Sequence, residues 1–194
     1  VAVEKSAPST FGVSWQKLMM WIFIVGDALL FGAFLAAYGF NRMSSASWPD
    51  RLKVFDMNMI TAMTFTLITS SATMATAVAA SRKGDRKNAA LFTFLTMVGG
   101  IIFLGMQAME WSGLIHEGAR LTSNPWGVPS FTAFFFMITG FHGTHVLIGV
   151  VILLVTAVRE MKKKTKAESV ELAGLYWHFV DLVWVFIFGC FYLI

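Results

Sequence analysis

Five long apolar runs dominate the chain, at residues 15–40, 57–80, 89–115, 129–158 and 170–194. A helix rises about 1.5 Å per residue and a bilayer's hydrocarbon core is about 30 Å thick, so about 20 residues span it. All five runs reach that length, and the third and fourth exceed it, which predicts tilt or projection beyond the membrane. They are too long for barrel strands and lack strict alternation. The expected fold class is therefore all-α: a polytopic membrane bundle of five transmembrane helices.

Composition excludes the other classes. Of 194 residues, 57% are hydrophobic and 13% charged, and the mean hydropathy is +0.68. Soluble domains are about 25% charged, and so little polar surface would not cover one. Disorder is excluded by the apolar content. A pI of 9.4 does not make a nucleic-acid partner, because the basic residues sit in short runs between apolar stretches. The single cysteine, Cys190, excludes an intrachain disulfide or a cysteine-based zinc or iron–sulfur centre; in an apolar run it reads as a small hydrophobe. Residues 1–14, VAVEKSAPSTFGVS, lack the apolar core of a secretion signal and read as a cytoplasmic tail. No connection is long enough to divide the remainder, so residues 15–194 read as one transmembrane domain.

Charge sets the expected orientation. Eleven of the 15 Lys and Arg residues lie in the N-terminal stretch, in SRKGDRKN (81–88) and in REMKKKTKAES (159–169); the other connections hold Arg42, Arg51, Lys53 and Arg120. The positive-inside rule places the N terminus in the cytoplasm and the C terminus outside. The KKKTK run reads as a topology determinant, with a site for anionic lipid as the alternative. Small residues at four-residue spacing (Ser71, Ala75, Ala79; Ala72, Thr76, Ala80; Gly32, Ala36; Ala33, Ala37) predict close helix packing in lipid.

Ionisable residues within the runs need a partner or a purpose, because one at the bilayer centre costs about 2.5–3.5 kcal/mol. Asp27 lies about ten residues past Lys17, roughly 15 Å deep. It is a proton-exchanging carboxylate or a buried acid bonded to a neighbouring helix. Gln107 and Glu110 share a helix face one turn apart; Glu110 pairs with an adjoining helix or meets the interface. His142 and His145, at i and i+3 in GFHGTHVLIG, suit either a metal or interhelical hydrogen bonds, with Gly140, Gly143 and Gly149 permitting close approach. His178 and Asp181, again at i and i+3, read as a mutually satisfied pair, screened from lipid by Trp177 and Trp184. Comparable depths suggest that Asp27, both helix-four histidines and the helix-five pair form one connected polar cluster.

Four segments in this order, MWIFIVGDALLFGAFLAAY, FLGMQAMEW, FFFMITGFHGTHVLIGVVIL and YWHFVDLVWVFIFGCFYL, resemble subunit III of haem–copper respiratory oxidases, over about residues 15–194. The resemblance implies an accessory subunit of a bacterial inner (cytoplasmic) membrane oxidase, non-catalytic itself, in a complex that reduces dioxygen to water and pumps protons. It implies no haem, copper or other metal in this chain, with haem and copper in partner subunits. It implies direct packing on subunit I, contact with other oxidase subunits, bound phospholipids, support of proton uptake, and a possible place in a respiratory supercomplex. Asp27 matches a position where many members carry Glu, one methylene longer. Glu110, His142, His145, His178 and Asp181 match motif positions; the resemblance makes the His cluster structural rather than liganding, while Asp27 and Glu110 are expected as proton-related or buried acids. Many members have seven helices, and this chain resembles the last five. Two other classes stand beside this reading: an accessory subunit of a nitric oxide reductase system, and an independent membrane enzyme using the His and Asp residues as a metal or proton site.

Overall fold

Side-chain caps start most of the helices. Ser14 accepts from the Lys17 N–H at 3.3 Å, Asp56 from the Asn58 and Met59 N–H groups at 3.0 and 3.4 Å, and Asp85 from the Asn88 N–H at 3.2 Å, each satisfying an N–H that the first turn leaves unbonded. The computed structural model describes residues 12–163 and 165–193; most of the tail, with Lys5, and Lys164 lie outside them. The elements are α1 (Trp15–Ser44), a short α2 (Arg51–Val54), α3 (Met57–Arg82), α4 (Arg86–His116), α5 (Pro129–Met161) and α6 (Ala167–Phe188), which continues into a wider π-type turn, Gly189–Leu193.

Five of these are long and apolar enough to cross a membrane, and no strand occurs among the described residues. The fold class expected from the sequence is the one observed. Helices outrun the apolar runs by a few residues, because polar residues continue a helix until a cap or turn stops it. Between α3 and α4 only three residues remain, with Gly84 at φ +78° making the reversal. The short α2 was not expected; Asp50 caps it by accepting from the Leu52 N–H at 3.1 Å.

Helices α3, α4, α5 and α6 pack in a ring, each touching the next and α6 returning to α3, while α1 leans on α5 and α6. Trp177 of α6 fills the ring's centre, 1% exposed. A Cβ at Gly100 of α4 would lie 2.4 Å from its ring, and one at Gly149 of α5 would lie 2.9 Å away. Its indole N–H donates to Ser70 Oγ of α3 at 3.0 Å. Trp184, one heptad on, donates to Thr64 Oγ1 at 3.0 Å. These two tryptophans are the core itself, not a screen over His178 and Asp181.

The small-residue stripes correct a second expectation. Ala72 and Thr76 of α3 and Gly32, Ala33, Ala36 and Ala37 of α1 are exposed, and nothing lies within 4 Å of a Cβ built at Gly32. The face that α3 buries runs through Met63, Leu67, Ser70, Met74 and Ala77. Of α1 only Phe31 and Tyr38 are buried.

Up-and-down connectivity gathers charge at the two ends. One end carries Lys17, Arg82, Lys83, Arg86, Lys87, Lys162 and Lys163, where the helices turn or start; the other carries Arg42, Arg51, Lys53 and Arg120.

Candidate functional site

Asp27 on α1 and His145 on α5 form an ion-pair contact, Oδ2 to Nε2, at 3.1 Å. The other ring nitrogen, Nδ1, lies 2.9 Å from the Phe141 carbonyl oxygen. A carbonyl only accepts, so Nδ1 carries a hydrogen. Nε2 then faces a carboxyl oxygen, a contact that is favourable when one proton lies between the two groups. On either partner that proton leaves the pair without net charge, which suits its place in lipid. The atoms are not aligned for a directional hydrogen bond, and Asp27 Oδ2 completes none. Phe31 and Phe23 set their rings against the imidazole, with centroids 5.6 and 6.5 Å away, and Tyr176 of α6 donates its hydroxyl to the His145 carbonyl at 3.0 Å.

His142, one turn earlier, is fully buried, and neither of its ring nitrogens has a hydrogen-bond partner. Its ring stacks on Trp184 at 5.3 Å and meets the edges of Phe103 and Phe31 at 5.8 and 6.4 Å. The two histidines therefore do not converge: one is turned to Asp27, the other is walled by rings. Among the described residues no three His, Cys, Asp or Glu side chains come together as a metal-ligand set.

His178 and Asp181 of α6 lie on the other side of the ring. His178 Nδ1 is 2.6 Å from Ser71 Oγ of α3, and Asp181 sits beside both but leaves Oδ1 unbonded. No hydrogen bond or ion pair joins His178 directly to Asp181, so the expected self-sufficient pair is a three-residue group completed by Ser71. Nor does a bond link this group to Asp27 and His145. The expected single cluster is two. Successive residues point about 100° apart around a helix, and α6 gives its inward direction to Trp177, which turns His178 toward α3.

Gln107 and Glu110 do share a face of α4. Gln107 Nε2 donates to the Thr139 carbonyl at 2.7 Å, with Gly143 leaving room for its side chain. Glu110 accepts from the Tyr192 hydroxyl at 3.0 and 3.3 Å, so it is paired with an adjoining element.

The basic end holds an arrangement that sequence reasoning missed. Glu171 of α6 receives Lys17 of α1 at 2.6 Å and Arg82 of α3 at 2.7 Å, and Ser14 donates to Glu168. An acid beginning a helix beside so many cations was the available signal.

The comparisons agree with this architecture. The family model described as cytochrome c oxidase subunit III matches residues 8–194. Quinol oxidase subunit 3 of Bacillus spizizenii is 36% identical over 182 residues, covering 91% of this chain and 85% of that protein. Quinol oxidase subunit 3 of Bacillus subtilis has the same identity and coverage. Cytochrome c oxidase subunit 3 of Bacillus sp. strain PS3 is 32% identical over 205 residues, covering 99% of this chain and 97% of that protein. A bundle of five membrane-length helices, the four motif segments and matches along nearly the whole length lead to one statement: this chain belongs to the cytochrome c oxidase subunit III family of haem–copper oxidases.

Proposed function

We propose that the chain is the accessory subunit III of a bacterial terminal oxidase that uses cytochrome c or quinol, reduces dioxygen to water and pumps protons. It is a single transmembrane domain, residues 15–194, following a short tail. It takes no part in the redox step, stabilises the catalytic subunit I, binds phospholipid and supports proton uptake. It lies in the inner membrane with its basic end and N terminus in the cytoplasm.

The observation that carries this reading is α1. It holds to the bundle along one edge and leaves Leu29, Phe40 and Met43 at 71%, 74% and 84% exposure, beside the bare glycine and alanine stripe. Small residues let a neighbouring helix approach closely in lipid, which suits contact with subunit I. The two α5 histidines are poorly disposed for haem: the ring of His142 stacks on Trp184, and His145 faces the Phe141 carbonyl with one nitrogen and Asp27 with the other. The Asp27–His145 contact, an acid and a base facing each other at lipid depth, fits a supporting role in proton supply.

The test is purification of the tagged chain in mild detergent, with its companions and haems identified by mass spectrometry. The expected result is a haem- and copper-bearing catalytic subunit, and a colourless, inactive chain once stripped of it. Iron or copper in stoichiometric amount on the stripped chain would overturn the reading.

A further inference from the structure

We propose that the groove between α4 and α5 at the basic end binds one anionic glycerophospholipid of the phosphatidylglycerol class, its phosphate held by Arg86, Lys87 and Lys163 and one acyl chain lying along Leu91 and Phe94. The proposal deepens the lipid-binding part of the proposed function and rests on the chain lying in a membrane; it does not depend on which donor the oxidase uses.

The groove encloses about 630 Å³, and below the mouth its lining is apolar: Ala90, Leu91 and Phe94 on α4, Ala157 and Met161 on α5. From Arg86 to Phe94 it descends about 12 Å along the helix, at about 1.5 Å per residue. Charge at one end and bare hydrocarbon below is the pattern of an amphiphile with a negative head and a long tail. A partner helix would meet a cluster of cations at its entry, whereas a phosphate meets its counter-charge there.

The balance of charge selects the headgroup. Three cations face one acid, Glu160, so the mouth is positive and favours an anionic lipid over a zwitterionic one. Glu160 is 2% exposed and its Oε2 is closed off from the groove, so it lowers the charge of the mouth without touching the headgroup, and selection rests on the excess of cations. Lys163 sits at φ +56°, in the left-handed region, with its N–H donating to the Glu160 carbonyl at 2.9 Å. Glycine fits such a turn with less strain; here the position keeps a cation at the mouth instead.

The experiment is native mass spectrometry of the intact oxidase, delipidated in detergent and then offered phosphatidylglycerol, phosphatidylethanolamine and phosphatidylcholine with matched acyl chains in equal amounts. The lipid is read on this subunit after gas-phase release. The expected result is a single phosphatidylglycerol retained in preference. The double variant R86Q/K163Q should lower its retention by about tenfold or more, since each basic group near an anionic headgroup contributes about fivefold, and R86K/K163R should keep it. Leu91→Trp, which fills the groove and spares the cations, should also expel the lipid. Equal retention of the three lipids, no retained lipid, or retention indifferent to both R86Q/K163Q and Leu91→Trp would overturn the proposal. Absence of a haem-bearing partner would count against the proposed function alone.

Discussion

Asp27 and His145 meet at 3.1 Å across the contact of α1 with α5, and the imidazole's far nitrogen is already committed to the Phe141 carbonyl. Replacing Asp27 by Ala leaves Nε2 facing lipid-depth space with no oxygen. Polar contacts between membrane helices contribute about 0.6–1.7 kcal/mol, too little to unseat α1. The D27A oxidase should assemble with full haem content, yet turn over more slowly or inactivate after fewer turnovers. Subunit content on blue native gels and oxygen uptake over time measure both; failure to assemble would assign Asp27 a structural role.

Gly100 and Gly149 make room for Trp177. Adding a methyl at either should cost about 1–3 kcal/mol through overpacking, because the ring is also fixed to Ser70. Thermal unfolding of G149A in detergent should show the loss. In G149A/W177L the glycine change should cost much less than it does alone; a fully additive pair would contradict the wedge.

Glu171→Gln provides the contrast. Arg82 is 65% exposed at its side chain and Lys17 31%, so water and salt screen both pairs. The loss should be under about 1 kcal/mol and should fade as salt rises. A loss like that of G149A, persisting at high salt, would mean that this junction anchors α1.

The proposed orientation, basic end in the cytoplasm, is one that labelling can read. A cysteine at Lys83 should react with a membrane-impermeant maleimide only in inside-out vesicles, and one at Ser123 only in intact spheroplasts, in a background where Cys190 is replaced by Ser. The reverse pattern would invert the orientation.

The spans were legible because hydrophobic length alone decides them. The shared face of Gln107 and Glu110 followed from helical spacing, and Asp27 stood out as an acid in lipid. Helix rotation was not legible. Spacing says that His178 and Asp181 share a side, but not that Trp177 takes the inward direction and leaves them to α3 and Ser71. The alanine and glycine stripes of α1 and α3 read as internal packing, yet the close approaches are at Gly99 against Ser70, Gly100 against Trp177 and Val150, Gly174 against Val78, and the α5 glycines Gly140, Gly143 and Gly149 against Trp111, Gln107 and Trp177; only those of α5 were expected. Glu160 and Glu171 were lost among their cations, because sequence counts charge and not burial.

The attachment of α1 is made over the longest stretches of chain: Ser14 reaches Glu168 across 154 residues. Within this chain α1 is thus made before the two helices, α5 and α6, that seat it. Until α5 has been threaded, Asp27 waits without its imidazole, so biogenesis of this subunit passes through a stage in which an acid-bearing span must be tolerated or chaperoned.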